Sequence, residues 1–255
     1  MTTFNTKYSS LMSYPVFNKY FENSNYYNVG LWDKSIDSQK KACENLVQYL
    51  LQKHSGNKNT LLDVGCGKGS VCNFIETNNW YKEITGINIS EDQIDFCKKL
   101  NKNCTFETMD ACNMNFKNDS FDTIISIEAA LHFPSRSQFL KKAYEILRPN
   151  GTIAIADFLF EKTLNKGIQW MTPDSNNITS AEYLTLFEKT GFKEIILENV
   201  TDKTWIPYLK NLKTWINSSF MSNNLSKNEI ISALDIYKKA KEFPVKEIII
   251  ISGKK

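Results

Sequence analysis

The chain predicts an α/β fold, a doubly wound and mostly parallel sheet with helices on both faces. Three observations carry this. Short apolar runs of strand length alternate with amphipathic runs of helix length through about 100 residues, the pattern of parallel strands joined by right-handed crossovers. A glycine-rich turn, Asp63-Val64-Gly65-Cys66-Gly67-Lys68-Gly69, follows the first of these strands and opens the first of these helices. The 255 residues are 42% hydrophobic and 23% charged, enough to bury the core that such a sheet needs.

Residues 1–30 are rich in Asn, Tyr, Phe and Ser and read as irregular chain with short helices. Asp37 is expected to cap a helix over Ser38–Lys53, whose Ala42, Leu46, Val47, Leu50 and Leu51 share a face. Strands are then predicted at Thr60–Val64, Ile84–Ile89, Cys104–Thr108, Phe121–Ile127 and Thr152–Phe158. Helices are predicted at Ser70–Asn78, Glu91–Leu100 and Gln138–Leu147, the last stopped by Pro149-Asn150-Gly151. Beyond this alternation come a helix at Ala181–Thr190, a strand at Lys193–Asn199, a mostly helical stretch over 203–242 and a last strand at Val245–Ser252.

Seven strands result, with a helical cap inserted before the last. The expected organisation is an N-terminal lid segment over 1–55, a ligand-binding core over 56–202 and 243–255, and a cap over 203–242 covering a substrate pocket. Trp170, Met171, Trp205, Tyr208, Trp215 and Phe220 are read chiefly as core aromatics and apolar residues, with two or three lining an apolar pocket as the alternative.

A net charge of +3 gives no strong field toward nucleic acid or anionic lipid, and neither is expected as a partner. Only Arg136 and Arg148 supply the guanidinium fork suited to phosphate and guanine. Cys43, Cys66, Cys72, Cys97, Cys104 and Cys112 form no Cys-x-x-Cys pair, and His54 and His132 are the only histidines. Free thiols in a reducing compartment are expected, with no metal site. No segment reads as a signal peptide or membrane span, so the expected location is cytoplasmic.

The glycine turn narrows the ligand. Glycines let backbone approach a bound molecule, at the carboxyl ends of parallel strands where such sheets bind ligands. A phosphate-cradling loop ends in Gly-Lys-Ser/Thr, but Lys68 is followed by Gly69. A dinucleotide fingerprint needs glycine where Ser70 stands and an acid where Asn88 ends the second strand.

What remains, acidic-x-Gly-x-Gly-x-Gly, resembles the first motif of the class I S-adenosylmethionine-dependent methyltransferases. The resemblance extends over about residues 26 to 200. Ile84-Thr85-Gly86-Ile87-Asn88-Ile89-Ser90 is similar to the family's second strand, which usually ends in an acid holding the ribose diol. Asn88 departs from that, with Gln93 at the position of an assisting glutamine. Met109-Asp110-Ala111 is similar to the adenine site and Phe121 to Glu128 to the fourth-strand motif. Leu131-His132-Phe133-Pro134, Leu147-Arg148-Pro149-Asn150-Gly151-Thr152 and Ala156-Asp157-Phe158 resemble the branch methylating sugars, macrolides, phosphoethanolamine and similar metabolites. Tyr26-Tyr27-Asn28-Val29-Gly30-Leu31-Trp32 is similar to that branch's cofactor-closing segment.

The resemblance implies a Rossmann-like methyltransferase that consumes S-adenosylmethionine and leaves S-adenosylhomocysteine. Its cofactor-binding residues would be Tyr27, Asp63, Gly65, Gly67, Gly69, Asn88, Gln93, Asp110, Ala111 and Ile127. His132 is the candidate general base, because its ordinary pKa lies near working pH. Asp157, expected beside it at the end of the fifth strand, is a candidate for orienting the imidazole, binding substrate or acting as base. Glu128 is the third candidate. The acceptor is expected to be a small organic molecule methylated at a hydroxyl oxygen. A phosphobase or amine N-methyltransferase is the alternative enzyme, and a cofactor-binding protein without catalysis the alternative outside enzymes.

Overall fold

The computed structural model describes residues 15–53, 56–160 and 178–255. It divides into two compact units: Val47–Val200 with Val245–Lys255, and the described part of Met1–Leu46 with Thr201–Pro244.

The first of these holds a seven-stranded sheet of order β3-β2-β1-β4-β5-β7-β6. Its strands are β1 (Thr60–Val64), β2 (Glu83–Asn88), β3 (Thr105–Thr108), β4 (Phe121–Ile127), β5 (Leu147–Phe160), β6 (Lys193–Asn199) and β7 (Val245–Lys254). The first five are parallel, and β7 runs antiparallel between β5 and β6. This is the Rossmann-like sheet that the alternation predicts. Every residue of β1 is buried, which explains an apolar run without alternation: a strand covered on both faces has no polar side.

Helices α3 (Ser70–Thr77), α4 (Glu91–Leu100), α5 (Arg136–Ile146) and α6 (Ser180–Thr190) cover the sheet. Their ends follow local chemistry. Ser135 caps α5 by accepting the Gln138 N–H at 3.3 Å, so that helix starts two residues before the predicted Gln138. Thr179 and Glu182 form a reciprocal capping box on α6, which closes on Gly191 at φ 108°. The core between sheet and helices is built from side chains such as Leu62, Ile124, Phe139, Leu140, Ile153 and Phe187, all fully buried.

One boundary differs in an instructive way. The preceding helix ends at Ile146, and Pro149-Asn150-Gly151 is not the turn that stops it, because β5 already begins at Leu147. Pairing with β4 slips between Phe121 and Thr123, and Asn150 takes φ 65° there.

The other unit contains α1 (Pro15–Tyr20), α7 (Trp205–Met221) and α8 (Lys227–Glu242); α2 (Gln39–Leu51) crosses the boundary between units. Residues that the sequence places in separate lid and cap segments, 1–55 and 203–242, thus contribute to one body. The Trp32 N–H donates to the Lys203 carbonyl at 2.7 Å, and Lys19 pairs with Glu229 at 2.6 Å. Tyr20 meets Tyr208 and Trp215 edge-on, at centroid distances of 6.0 and 5.3 Å.

Two expectations are corrected here. Ser38, not Asp37, caps α2, its Oγ accepting the Lys41 N–H at 3.4 Å, while Asp37 reaches the Lys41 ammonium at 2.9 Å. Phe220 is not core, being 61% exposed. Trp170 and Met171 lie outside the described residues. No helix among the described residues is long and apolar enough to cross a membrane.

Candidate active site

The carboxyl ends of β3, β2, β1 and β4 stand side by side, and the Asp63–Gly69 turn, Asn88, Asp110 and the Glu128–His132 segment lie there. Asp63 is the penultimate residue of β1 and is 2% exposed. Among the described residues its side chain accepts a hydrogen bond from the Cys72 thiol, in the first turn of α3, at 3.4 Å. Burial pushes the Asp63 carboxyl up to about 7, against the smaller downward pull of that thiol. A buried carboxylate with no cation beside it is costly, and a ligand bearing an ammonium group would relieve that cost.

The turn after Asp63 needs its glycines for different reasons. Gly65 has φ 83°, and a Cβ there would lie 2.4 Å from the Ala129 Cβ. At Gly69 (φ 78°) a Cβ would crowd the Cys97 sulfur at 3.0 Å and the Phe106 ring at 3.2 Å. Gly67 has φ 55°, yet a Cβ there would meet no atom within 4 Å. Gly65 and Gly69 serve packing, whereas Gly67 borders open space. Cys97 donates to the Gly67 carbonyl at 3.4 Å and so supports the loop from below, a role that nothing in the sequence pattern signals.

Next along the edge, the Asn88 amide donates to Gln93 Oε1 at 2.5 Å. That pairing leaves Asn88 Oδ1 as acceptor and the Gln93 amide as donor, a complement to a vicinal diol. The Met109 N–H donates to the Asn88 carbonyl at 3.0 Å, which draws the following loop against β2. There Asp110 Oδ1 accepts the Cys112 N–H at 2.8 Å, leaving Oδ2 for another donor, and Ala111 is buried beside it.

On the other side of β1, Ser126 of β4 donates to the Val64 carbonyl at 2.9 Å. Ile127 ends β4, and Glu128 turns the chain at φ 52°, a left-handed conformation uncommon outside glycine and asparagine. Ala129 then touches the Gly65 position, and a 3-10 turn, Ala130–His132, carries the histidine. His132 is half-buried, its N–H donating to the Ala129 carbonyl at 2.9 Å. The residue contacting the glycine loop and the candidate base are therefore three positions apart on one tight turn. Tyr27 belongs to the other unit and is half-buried there.

Asp157 requires a correction. β4 and β5 are neighbours as expected, but Asp157 sits inside β5 and is fully buried. Its Oδ2 holds Arg136 Nε at 2.8 Å and accepts the Tyr183 hydroxyl at 3.2 Å, and its Oδ1 accepts the Phe158 N–H at 2.9 Å. A carboxylate with both oxygens engaged in an ion pair and two hydrogen bonds is not placed to orient His132 or to take a substrate proton. The other arginine is also structural: Arg148 reaches Asp122 Oδ2 at 3.1 Å and Thr60 Oγ1 at 2.8 Å. Burial alone would raise Asp122, but the Thr60 N–H and Arg148 outweigh it and hold its carboxyl below the usual range.

No group of three or more His, Cys, Asp or Glu among the described residues is placed to hold a metal ion.

Residues 62–155, the stretch from β1 through most of β5, match the family described as a methyltransferase domain. Among curated relatives, this chain is 28% identical over 193 residues to methyltransferase GfsG of Streptomyces halstedii, covering 69% of this chain and 68% of the relative. It is 32% identical over 139 residues to 27-O-demethylrifamycin SV methyltransferase of Amycolatopsis mediterranei, covering 51% and 50%. A solved phosphoethanolamine N-methyltransferase 2 of Haemonchus contortus, in complex with S-adenosyl-L-methionine, superposes with TM-score 0.68 at 16% identity, covering 83% of this chain and 52% of that one. The chain thus spans about half the length of the last two, and at 16% identity the last shows the shared fold alone.

Proposed function

We propose that this chain is a methyltransferase that takes its methyl group from S-adenosylmethionine bound over Asp63–Gly69 and passes it to a hydroxyl oxygen of a small organic metabolite. The observation that carries the reading is the buried, cation-less Asp63 beneath an open glycine loop that packs on the turn bearing His132. The sulfonium supplies an activated methyl group and its own leaving group, so the protein's work is to bind, orient and exclude water.

Each residue then has a role its surroundings permit. Asp63 receives the ligand's α-ammonium group. Gly67 lets the backbone approach, with Gly65 and Gly69 fixing the turn. Asn88 Oδ1 and the Gln93 amide grip the ribose hydroxyls, in place of the usual acid. Asp110 Oδ2 accepts the adenine amino group, while Ala111 and Ile127 wall the ring. His132 removes the proton from the acceptor hydroxyl as the oxygen attacks. Glu128, held at a left-handed backbone position, faces the same edge and orients either the histidine or the acceptor. A relative named for methylation at an oxygen, the rifamycin enzyme, supports the choice of oxygen.

The test begins with S-adenosylmethionine carrying a labelled methyl group, offered with a panel of hydroxylated polyketides, sugars and phosphobases. Label on an oxygen is expected, and label on a nitrogen would overturn that assignment. On the acceptor found, His132→Ala should lower turnover by ~10²–10⁴ with cofactor affinity kept. Unchanged turnover with both substrates saturating removes His132 from the role of base.

A further inference from the structure

We propose that the outward faces of α7 and α8 dock onto an anionic lipid surface. Both helices repeat one spacing on the side away from their packed residues. In α7 it runs Ile206, Lys210, Lys213, Asn217, Phe220; in α8 it runs Lys227, Ile231, Leu234, Lys238, Lys241. At 3.6 residues per turn, each set lies within roughly 40° of its own centre line. All ten are exposed, whereas Tyr208, Leu212, Ile216 and Ala233 point inward.

The apolar members are large and unusually open. Met221, adjoining the first stripe, is 80% exposed, Phe220 61%, Ile231 56%, Ile206 54% and Leu234 50%. Five of the eight large hydrophobic side chains exposed among the described residues therefore belong to these two helices. Single exposed apolar residues need no explanation, but a concentration of them marks an interaction surface.

The charges choose the partner. Every charged residue in the two stripes is a lysine, and none of the five has an acidic partner among the described residues. The nearby acids are mostly engaged elsewhere: Glu229 holds Lys19, and Asp235 holds Lys239 at 2.7 Å. The two helices contain six lysines against three acids, so the modest net charge of the chain conceals a local excess. A second copy of the same face would set lysine against lysine. Nucleic acid would use the lysines but leave aliphatic Ile206, Ile231 and Leu234 in water. An anionic bilayer satisfies both, with side chains entering the headgroup boundary and ammonium groups meeting phosphate and carboxylate.

Co-sedimentation of the full chain with vesicles of phosphatidylcholine, alone or mixed with phosphatidylserine, tests this. Partition onto the mixed vesicles should exceed that onto neutral ones by about tenfold or more and weaken with added salt. Two variants separate the components: K210E with K241E, and F220S with M221S. Each pair replaces exposed side chains, so thermal unfolding should stay near that of the parent, and each should reduce partition by about tenfold. Equal partition onto both vesicle types, or binding indifferent to both variant pairs, would overturn the proposal. So would retention on duplex DNA without vesicle binding, or concentration-dependent dimerisation through this face without vesicle binding.

Discussion

Asp63 carries a cost that its own fold does not offset. Below about pH 4 it is protonated in folded and unfolded chains alike. Between there and about 7 the unfolded chain has released the proton and the folded one has not, so stability falls as pH rises and levels off above about 7. The loss amounts to a few kcal/mol at most. Asp63→Asn should therefore raise the unfolding temperature of the ligand-free protein at pH 8 but hardly at pH 4, while abolishing cofactor binding. A variant that is destabilised equally at both values would mean that the carboxylate is not the strained group.

The glycines separate by the same kind of argument. Gly65→Ala should lower the unfolding temperature by several degrees through its clash with Ala129. Gly67→Ala adds only the left-handed strain of about 1–2 kcal/mol, yet it intrudes on the open space and should weaken cofactor binding about tenfold or more. Binding calorimetry beside thermal unfolding distinguishes the two. At this scale the sequence was highly legible, because Asp63, the glycines and Asn88 are defined by local spacing. The partners Cys72 and Cys97 were not legible, since their contacts depend on how α3 and α4 lie under the loop.

Among the elements, α5, β5 and α6 are joined by Arg136, Asp157 and Tyr183. The Arg136 guanidinium, buried to 1% exposure, also lies over the Tyr183 ring at 5.3 Å and donates to the Phe158 carbonyl at 3.2 Å. Burial works against its charge, but Asp157 more than compensates and holds its pKa above the ordinary value. Removing one partner leaves a buried charge unpaired. Asp157→Asn should cost about 3–5 kcal/mol in denaturant unfolding, while turnover per folded molecule stays within about twofold of the parent. A fall in turnover of a hundredfold at unchanged stability would restore Asp157 to the chemistry.

Asp157 was misread for a physical reason. Sequence places it at the end of a strand that stops at Phe158, where an acid reads as a ligand-facing group. The strand in fact continues to Phe160, and the cation that claims Asp157 lies 21 residues away on a crossing helix. Element type was otherwise written in local pattern. β1, β4, α4 and β6 were visible as apolar runs, capped starts and turn residues, whereas the start of β5 at Leu147 depended on a pairing slip that no local signal shows.

For the whole molecule, the strand alternation contained the sheet's strand number and mostly parallel character but not its order, and the match of residues 62–155 to a methyltransferase domain coincides with its parallel part. The joining of the N-terminal segment with 201–244 into one unit was not visible, because it rests on contacts such as Trp32 with Lys203 across most of the chain. Net charge likewise averages over the lysines exposed on α7 and α8.

The central claim is that the buried carboxylate under the open glycine loop receives a cationic cofactor. Calorimetric titration with S-adenosylmethionine at pH 6.5, in two buffers of different ionisation enthalpy, tests it directly. The account predicts saturable binding with release of a proton, approaching one per site, because the ammonium group forces Asp63 to ionise. No heat at millimolar cofactor, or binding without proton release that survives Asp63→Asn, would contradict it.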